Sequence, residues 1–345
     1  MADTGPLLSV IITSYTADRL NDVCALLDSM KVQSHPNIET IFVAEGSRQL
    51  HDQARRYGEK TGVGNFVVLL NDGEPGASAA RNLGVQHAEG DIIAFLDDDV
   101  VAAPDWAEEL VRTYLEDDSV VGVVGSAEPL WEDSRMGWFP VELYWIFGCT
   151  GWMGWEATTE TGHAPTMNAS YRREALEMAG LFCTVLGLRR GKWSEALTKW
   201  REVGGEDGEL SMRVRRVTGK RIVFNPKVRV LHKVPKSKLA LGAIAQRSWA
   251  VGRERQMFRK LFSSEERKVI YGEFSLLRRI LTRLLPDIFT GFLKDPVIAW
   301  RRLQVTGVSL CFAGLGFCTF PFFHNPLRQK ELPVERLTEG GRGGR

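Results

Sequence analysis

Between residues 7 and 126 short apolar runs alternate with amphipathic stretches, and few architectures accept that rhythm. Residues 7–13, 38–44, 65–70, 92–96 and 120–126 read as strands. They are continuously apolar rather than alternating, as strands covered on both faces are. Between them, residues 19–30, 48–61, 77–88 and 104–116 read as helices. In the first of these, Leu20, Val23, Leu26, Leu27 and Met30 share one face. Strand and helix in turn, joined by short connections, predict an α/β fold with a doubly wound, mostly parallel sheet. A length of 345 residues suggests two domains, or one large domain with an appendage.

The run at 92–96 stops abruptly in Asp97, Asp98 and Asp99. Ligands of open α/β sheets bind at the C-terminal strand ends, so these carboxylates are expected to enter a crevice. Side chains alternate along an extended strand, which predicts Asp97 and Asp99 on one face and Asp98 on the other. Adjacent carboxylates repel unless something positive sits among them, and a hard divalent cation carrying phosphate oxygens suits that role. The competing reading is an acidic loop ahead of a helix starting near Pro104 and Asp105.

A dinucleotide-binding fold is excluded, because Ser14-Tyr15-Thr16-Ala17-Asp18-Arg19 after the first strand contains no glycine, and a P-loop is absent. The five cysteines (Cys24, Cys149, Cys183, Cys311, Cys318) form no C-x-x-C pair and read as thiols of a reducing compartment. Residues 1–6 are short and polar, so no signal peptide is expected and the catalytic part is placed in the cytosol.

Four further stretches accompany the acidic strand end in order. They are Ser9-Val10-Ile11-Ile12-Thr13-Ser14-Tyr15, Val43-Ala44-Glu45-Gly46-Ser47, Gly76-Ala77-Ser78-Ala79-Ala80-Arg81-Asn82-Leu83-Gly84 and, after Leu96-Asp97-Asp98-Asp99, Gly204-Gly205-Glu206-Asp207-Gly208-Glu209. Together they resemble the family-two inverting glycosyltransferases of GT-A fold. The resemblance implies that Thr13 and Tyr15 line a nucleotide pocket, Glu45 contacts uracil and Arg81 reaches the nucleotide or its phosphates. This chain has Ala44-Glu45-Gly46-Ser47 where most relatives carry Asp-Asp-Gly-Ser, and the longer Glu45 still offers an acceptor to the uracil N–H. Asp98 is then the ribose contact, Asp97 and Asp99 the D-x-D pair, and Asp99 the more direct ligand of Mn2+ or Mg2+. His232 is implied as a third metal ligand. Met167-Asn168-Ala169-Ser170-Tyr171-Arg172-Arg173-Glu174 resembles the strand and turn that close over the donor, with Asn168 at the nucleotide sugar and Arg172 and Arg173 near phosphate. Asp207 resembles the base that takes the acceptor proton in a single in-line displacement, with Glu206 beside it at the acceptor. Without the family, both acids read as first-turn helix residues, Asp207 as an N-cap.

Residues 129–165 are crowded with Trp131, Trp138, Trp145, Trp152 and Trp155, which suit either core packing or a surface for sugar or lipid. From residue 233 to 302, 16 Lys and Arg stand against 6 Asp and Glu, a net +10. Within this stretch Leu277, Ile280, Leu281, Leu284, Leu285, Ile288, Phe289 and Phe292 are interleaved with Arg278, Arg279 and Arg283. Such a basic amphipathic helix suits an anionic membrane surface, or a helical subdomain packed on the core. The charge would also suit nucleic acid, but no reader motif accompanies it and no such partner is expected. Residues 305–323 carry no charge and are just long enough to span a bilayer, so membrane contact is expected there.

These readings divide the chain into a GT-A nucleotide-sugar domain at 1–232, a basic helical membrane-associating region at 233–328 and a disordered tail at 329–345. The function they imply is metal-dependent transfer from a UDP-sugar to a dolichyl- or polyprenyl-phosphate-linked acceptor, at the cytoplasmic face of the membrane. The arrangement resembles dolichyl-phosphate-linked sugar transferases, glucuronosyltransferase-like members included. A polysaccharide or cell-wall transferase and a non-catalytic nucleotide-binding scaffold are the alternatives.

Overall fold

The structure, a computed structural model, describes residues 5–186, 204–266 and 273–319. The five apolar runs are strands β1 (Leu8–Ser14), β2 (Ile38–Glu45), β3 (Phe66–Asn71), β4 (Ile92–Asp97) and β6 (Val120–Trp131). A short β5 (Val100–Ala102) follows β4. The four helical stretches are α1 (Leu20–Lys31), α2 (Arg48–Thr61), α3 (Ala77–His87) and α4 (Trp106–Glu116). Further along come β7 (Thr159–Thr161), β8 (Asn168–Arg172), α5 (Arg173–Ala179), α6 (Glu206–Thr218) and the long β9 (Arg221–Val234).

Among the described residues the strands form one sheet in the order β3-β2-β1-β4-β8-β6-β9-β5, with β7 also on β9. The half from β3 to β4 is parallel, as the crossover helices require. Beyond it the sheet is mixed, because β8 enters antiparallel between β4 and β6, and β5 and β7 run antiparallel to β9. The sheet is therefore wholly parallel in one half only, although β6 and β9 also pair parallel in the other. Period-two alternation sorts the core into two layers. Leu8, Val10 and Ile12 of β1 join residues of α1, α2 and α4 on one face. Ile11, Ile41, Val43, Ile93 and Phe95 join α3, α5 and α6 on the other.

The basic region is helical: α7 (Leu241–Leu261), α8 (Glu273–Arg279), a π turn at Ile280–Leu284, α9 (Leu285–Gly291) and α10 (Pro296–Thr319). Ile280, Leu284 and Ile288 are buried in a small cluster, and Arg279 donates to the Trp152 carbonyl. Among the described residues no helix is long and apolar enough to cross a membrane. Residues 320–323 of the uncharged stretch and the tail at 329–345 lie outside the described residues.

Helices α7 and α10 cross at two glycines. A Cβ on Gly252 would stand 2.0 Å from the Ala313 carbonyl oxygen, and one on Gly316 would stand 2.1 Å from that of Trp249. No side chain fits without separating the helices. Gly316→Val is expected to lower stability by about 1–3 kcal/mol, read from the denaturant midpoint.

Candidate active site

Strand β4 ends at Asp97, and Asp98 and Asp99 form the turn into β5. Beyond Asp97 the pleat no longer governs direction. Asp97 and Asp99 therefore do not form a pair set apart from Asp98. Asp98 is buried against the Ser14 hydroxyl and the Arg19 guanidinium. Asp99 shares Arg19 at 3.3 Å, and it also meets His232 Nε2 at 3.2 Å and Lys238 Nζ at 3.5 Å. Asp97 faces the other way and accepts from Arg81 at 3.3 Å.

Environment separates these acids. Burial raises the Asp98 carboxyl to about 6, Asp99 adding to the rise although Arg19 opposes it. Burial works against the Asp99 charge too, but His232, Lys238 and Arg19 hold that carboxyl well below the usual range. His232 arrives because β9 pairs it with Val100 at the start of β5. Asp99 is thus an ionised carboxylate next to an imidazole.

Arg81 organises the second group. Its guanidinium donates to Glu206 Oε1 at 3.1 Å and to Asp97, and it lies over the Phe182 ring at 5.6 Å. Burial opposes its charge, but Asp97, Glu206 and Asp207 keep it charged. The neighbouring Asn82 exchanges hydrogen bonds with the Phe182 backbone, which fixes that ring beneath Arg81. Glu45, at the end of β2, accepts from the Gly76 N–H at 2.8 Å and so ties β2 to the start of α3. Thr13 is paired in register with Val43 and Asp97, and Tyr15 is exposed beneath the Arg19 guanidinium at 5.9 Å.

Gly205, with φ at 96°, is the N-cap of α6, so Glu206 and Asp207 open the helix and neither caps it. A Cβ at Gly208 would stand 2.4 Å from the Phe258 ring, which explains a glycine where α6 meets α7. Asp207 Oδ1 accepts from the Gly208 N–H at 2.8 Å and lies 3.3 Å from His163 Nε2. Nε2 makes no aligned hydrogen bond, and the contact is an ion pair when the imidazole is protonated. Burial and Asp207 push the Glu206 carboxyl up, whereas burial of Asp207 is outweighed by His163, which holds it down. Two neighbouring carboxylates thus differ in proton affinity, the arrangement expected of acids with separate roles.

Asp207 opens into a cavity of about 130 Å³ walled by Trp145, Trp152 and Trp155, with Arg247 and Arg255 of α7 opposite. The buried Trp145 Nε1–H has no hydrogen-bond partner among the described residues. The tryptophans of residues 129–165 thus divide. Trp131 packs with Phe139, Tyr144 and Phe147, while Trp145, Trp152 and Trp155 face the cavity.

Three expected contacts are corrected. Asn168 is 2% exposed; its amide accepts from Trp106 and donates to the Ser126 and Val228 carbonyls, making it a brace inside the sheet. Arg172 donates to the Val120 and Tyr114 carbonyls, and Arg173 to those of Gly90 and Ala88. Both arginines thus lie at the opposite end of β4 from Asp97, because Ile92 pairs with Arg172. Arg19, Lys238 and His163 were missed. The only sequence signal for the two cations was the need of three adjacent carboxylates for positive partners.

The sequence profile described as Glycosyl transferase family 2 matches residues 9–178. A glucosyl-dolichyl phosphate glucuronosyltransferase of Haloferax volcanii is 26% identical over 312 residues, 90% of this chain and 94% of that protein. A succinoglycan biosynthesis protein of Rhizobium meliloti is 26% identical over 71% of this chain and 72% of its own length. Among solved structures, a mannosyltransferase from Pyrobaculum calidifontis in complex with GDP-Man and Mn2+ superposes with a TM-score of 0.55. That match has 19% identity over 98% of this chain and 79% of the other, and it shows a shared mixed α/β fold of GT-A type. Residues 9–178 are a family 2 glycosyltransferase domain, and the protein is a glycosyltransferase.

Proposed function

We propose that the protein moves a sugar from a UDP-sugar, with inversion, to a dolichyl- or polyprenyl-phosphate-linked acceptor at the cytoplasmic face of a membrane. The observation that carries this reading is Asp207, an ionised carboxylate opening into a cavity of tryptophan and arginine. Aromatic faces suit a sugar or isoprenoid, and guanidinium groups suit a phosphate. On the donor side, Glu45 offers a carboxylate to the uracil N–H, and Arg81 stands between Asp97 and Glu206 with its charge retained. Asp207 takes the proton of the acceptor hydroxyl as that oxygen attacks the anomeric carbon and the nucleoside diphosphate departs.

The donor set fits a hard divalent cation. Among the described residues no three His, Cys, Asp or Glu side chains converge as a ready metal site. Asp99 and His232 do supply a carboxylate and an imidazole side by side. Mg2+ and Mn2+ sites of this sort draw their remaining ligands from substrate phosphates and water. Asp99 and His232 would hold the ion, and Asp97 stands at the same strand end. When bound, it stabilises negative charge on the departing diphosphate.

Membrane contact is supported by apolar exposure. Leu277, Leu281, Leu285, Phe289 and Leu293 recur every four residues, and Phe289 and Leu293 are 63% and 90% exposed. Arg278 and Arg283 flank this stripe. The reading is tested with radiolabelled UDP-glucose, UDP-glucuronic acid and GDP-mannose, Mn2+ and a lipid extract containing polyisoprenyl phosphates. Label from a UDP-sugar is expected in the organic phase. Label confined to aqueous glycan would replace the lipid-linked acceptor with a polysaccharide.

A further inference from the structure

His163 belongs to no motif. It sits just after β7, where its backbone N–H donates to the Thr161 hydroxyl, and its ring meets Phe258 of α7 edge-on at 6.5 Å. The next residue, Ala164, donates its N–H to Ser211 Oγ. That hydroxyl donates to the Asp207 carbonyl and pairs with the Tyr171 hydroxyl at 2.9 Å. The loop carrying His163 is therefore tied to the same turn of α6 that carries Asp207.

Among the described residues, the close contacts of the Asp207 carboxylate, from the Gly208 N–H and from His163, use Oδ1. Oδ2 takes neither, and it is the oxygen left for an acceptor hydroxyl. We infer that His163 is a positioning residue. Its imidazole holds the Asp207 carboxylate in its working orientation and, through its own protonation state, sets how strongly that carboxylate draws the acceptor proton. The inference rests on Asp207 being the base.

Asp207 faces the imidazole from α6, and Glu254 and Arg255 face it from α7, with Arg247 across the same cavity. Burial opposes protonation of His163, and Arg255 does so as well, but Asp207 and Glu254 outweigh them and raise it above 6.5. The raised imidazole contributes stability that is complete below 6.5 and is lost as pH rises through its folded value. The depressed Asp207 contributes stability present above 3.8 and lost as pH falls through its own folded value. Between these limits an imidazolium faces a carboxylate and weakens it as a base. When the imidazolium loses its proton the carboxylate strengthens, so turnover rises with pH through the titration of His163.

His163→Gln keeps a donor near the Nε2 position but cannot titrate. Its turnover is expected to stay within about threefold of the wild-type plateau, with the rise through the His163 titration abolished. His163→Ala is expected to lower kcat by about 10²-fold at unchanged donor KM, because the carboxylate loses its orientation. In full-length protein carrying 15N-histidine, the His163 resonance is identified by its loss in His163→Gln. It should titrate above 6.5 in the wild type and lower in Asp207→Asn. Label transfer from the UDP-sugars above, measured from pH 5.5 to 9, separates the two readings. Wild-type turnover by Asp207→Asn removes the base itself. A dead Asp207→Asn beside a His163→Gln with an unaltered pH profile, or a His163 resonance indifferent to Asp207→Asn, overturns the role of His163 alone.

Discussion

Asp207→Asn is expected to reduce transfer by about 10²–10⁴-fold, the usual contribution of a positioned general base. The amide is nearly isosteric and can still accept from the Gly208 N–H, so the first turn of α6 should stand. It cannot take a proton from the acceptor. Donor affinity should be nearly unchanged, because the groups expected at the nucleotide are Glu45, Arg81 and the acids at the end of β4. Isothermal titration with UDP beside the transfer assay separates the two effects. A loss confined to UDP affinity would assign Asp207 to donor binding instead.

A comparable effect on stability is expected two residues further on. Glu209 and Arg213, one turn apart on α6, form an ion pair whose side chains are wholly inaccessible. The guanidinium donates twice to the carboxylate, at 2.8 and 2.7 Å, and also to the Ala179 and Leu181 carbonyls. It pins the chain after α5 onto α6, and Phe182 under Arg81 follows directly. Glu209→Ala strands a buried guanidinium and should cost about 3–5 kcal/mol in chemical denaturation. Replacing both residues with apolar side chains of similar volume should recover most of that loss. The double variant failing as badly as the single would show that the carbonyl contacts matter more than the charge pair.

Much of the scaffold was legible because apolar period and helix spacing are local. The strands and helices of residues 7–126 follow from those patterns within a residue or two at each end, except that β6 runs five residues further, to Trp131. The antiparallel entry of β8 between β4 and β6 was not legible, since its partners lie far away in the chain. The direction of the three aspartates was misjudged for a physical reason: the strand ends at Asp97, and a turn obeys no pleat. Asn168 was placed at the donor by resemblance, yet the Trp106 indole and two carbonyls take up its amide. His163 left no trace in the sequence. A lone histidine carries no pattern, and ties through Thr161 and Ser211 bring it to Asp207.

The most direct test is solvent partition of label from UDP-sugars incubated with Mn2+, polyisoprenyl-phosphate lipid and either wild-type protein or Asp207→Asn. The wild type should carry label from one UDP-sugar into the organic phase and release UDP in equal amount, and the variant should do neither. Equal transfer by the variant, or wild-type transfer from GDP-mannose alone, would contradict the assignment of base and donor.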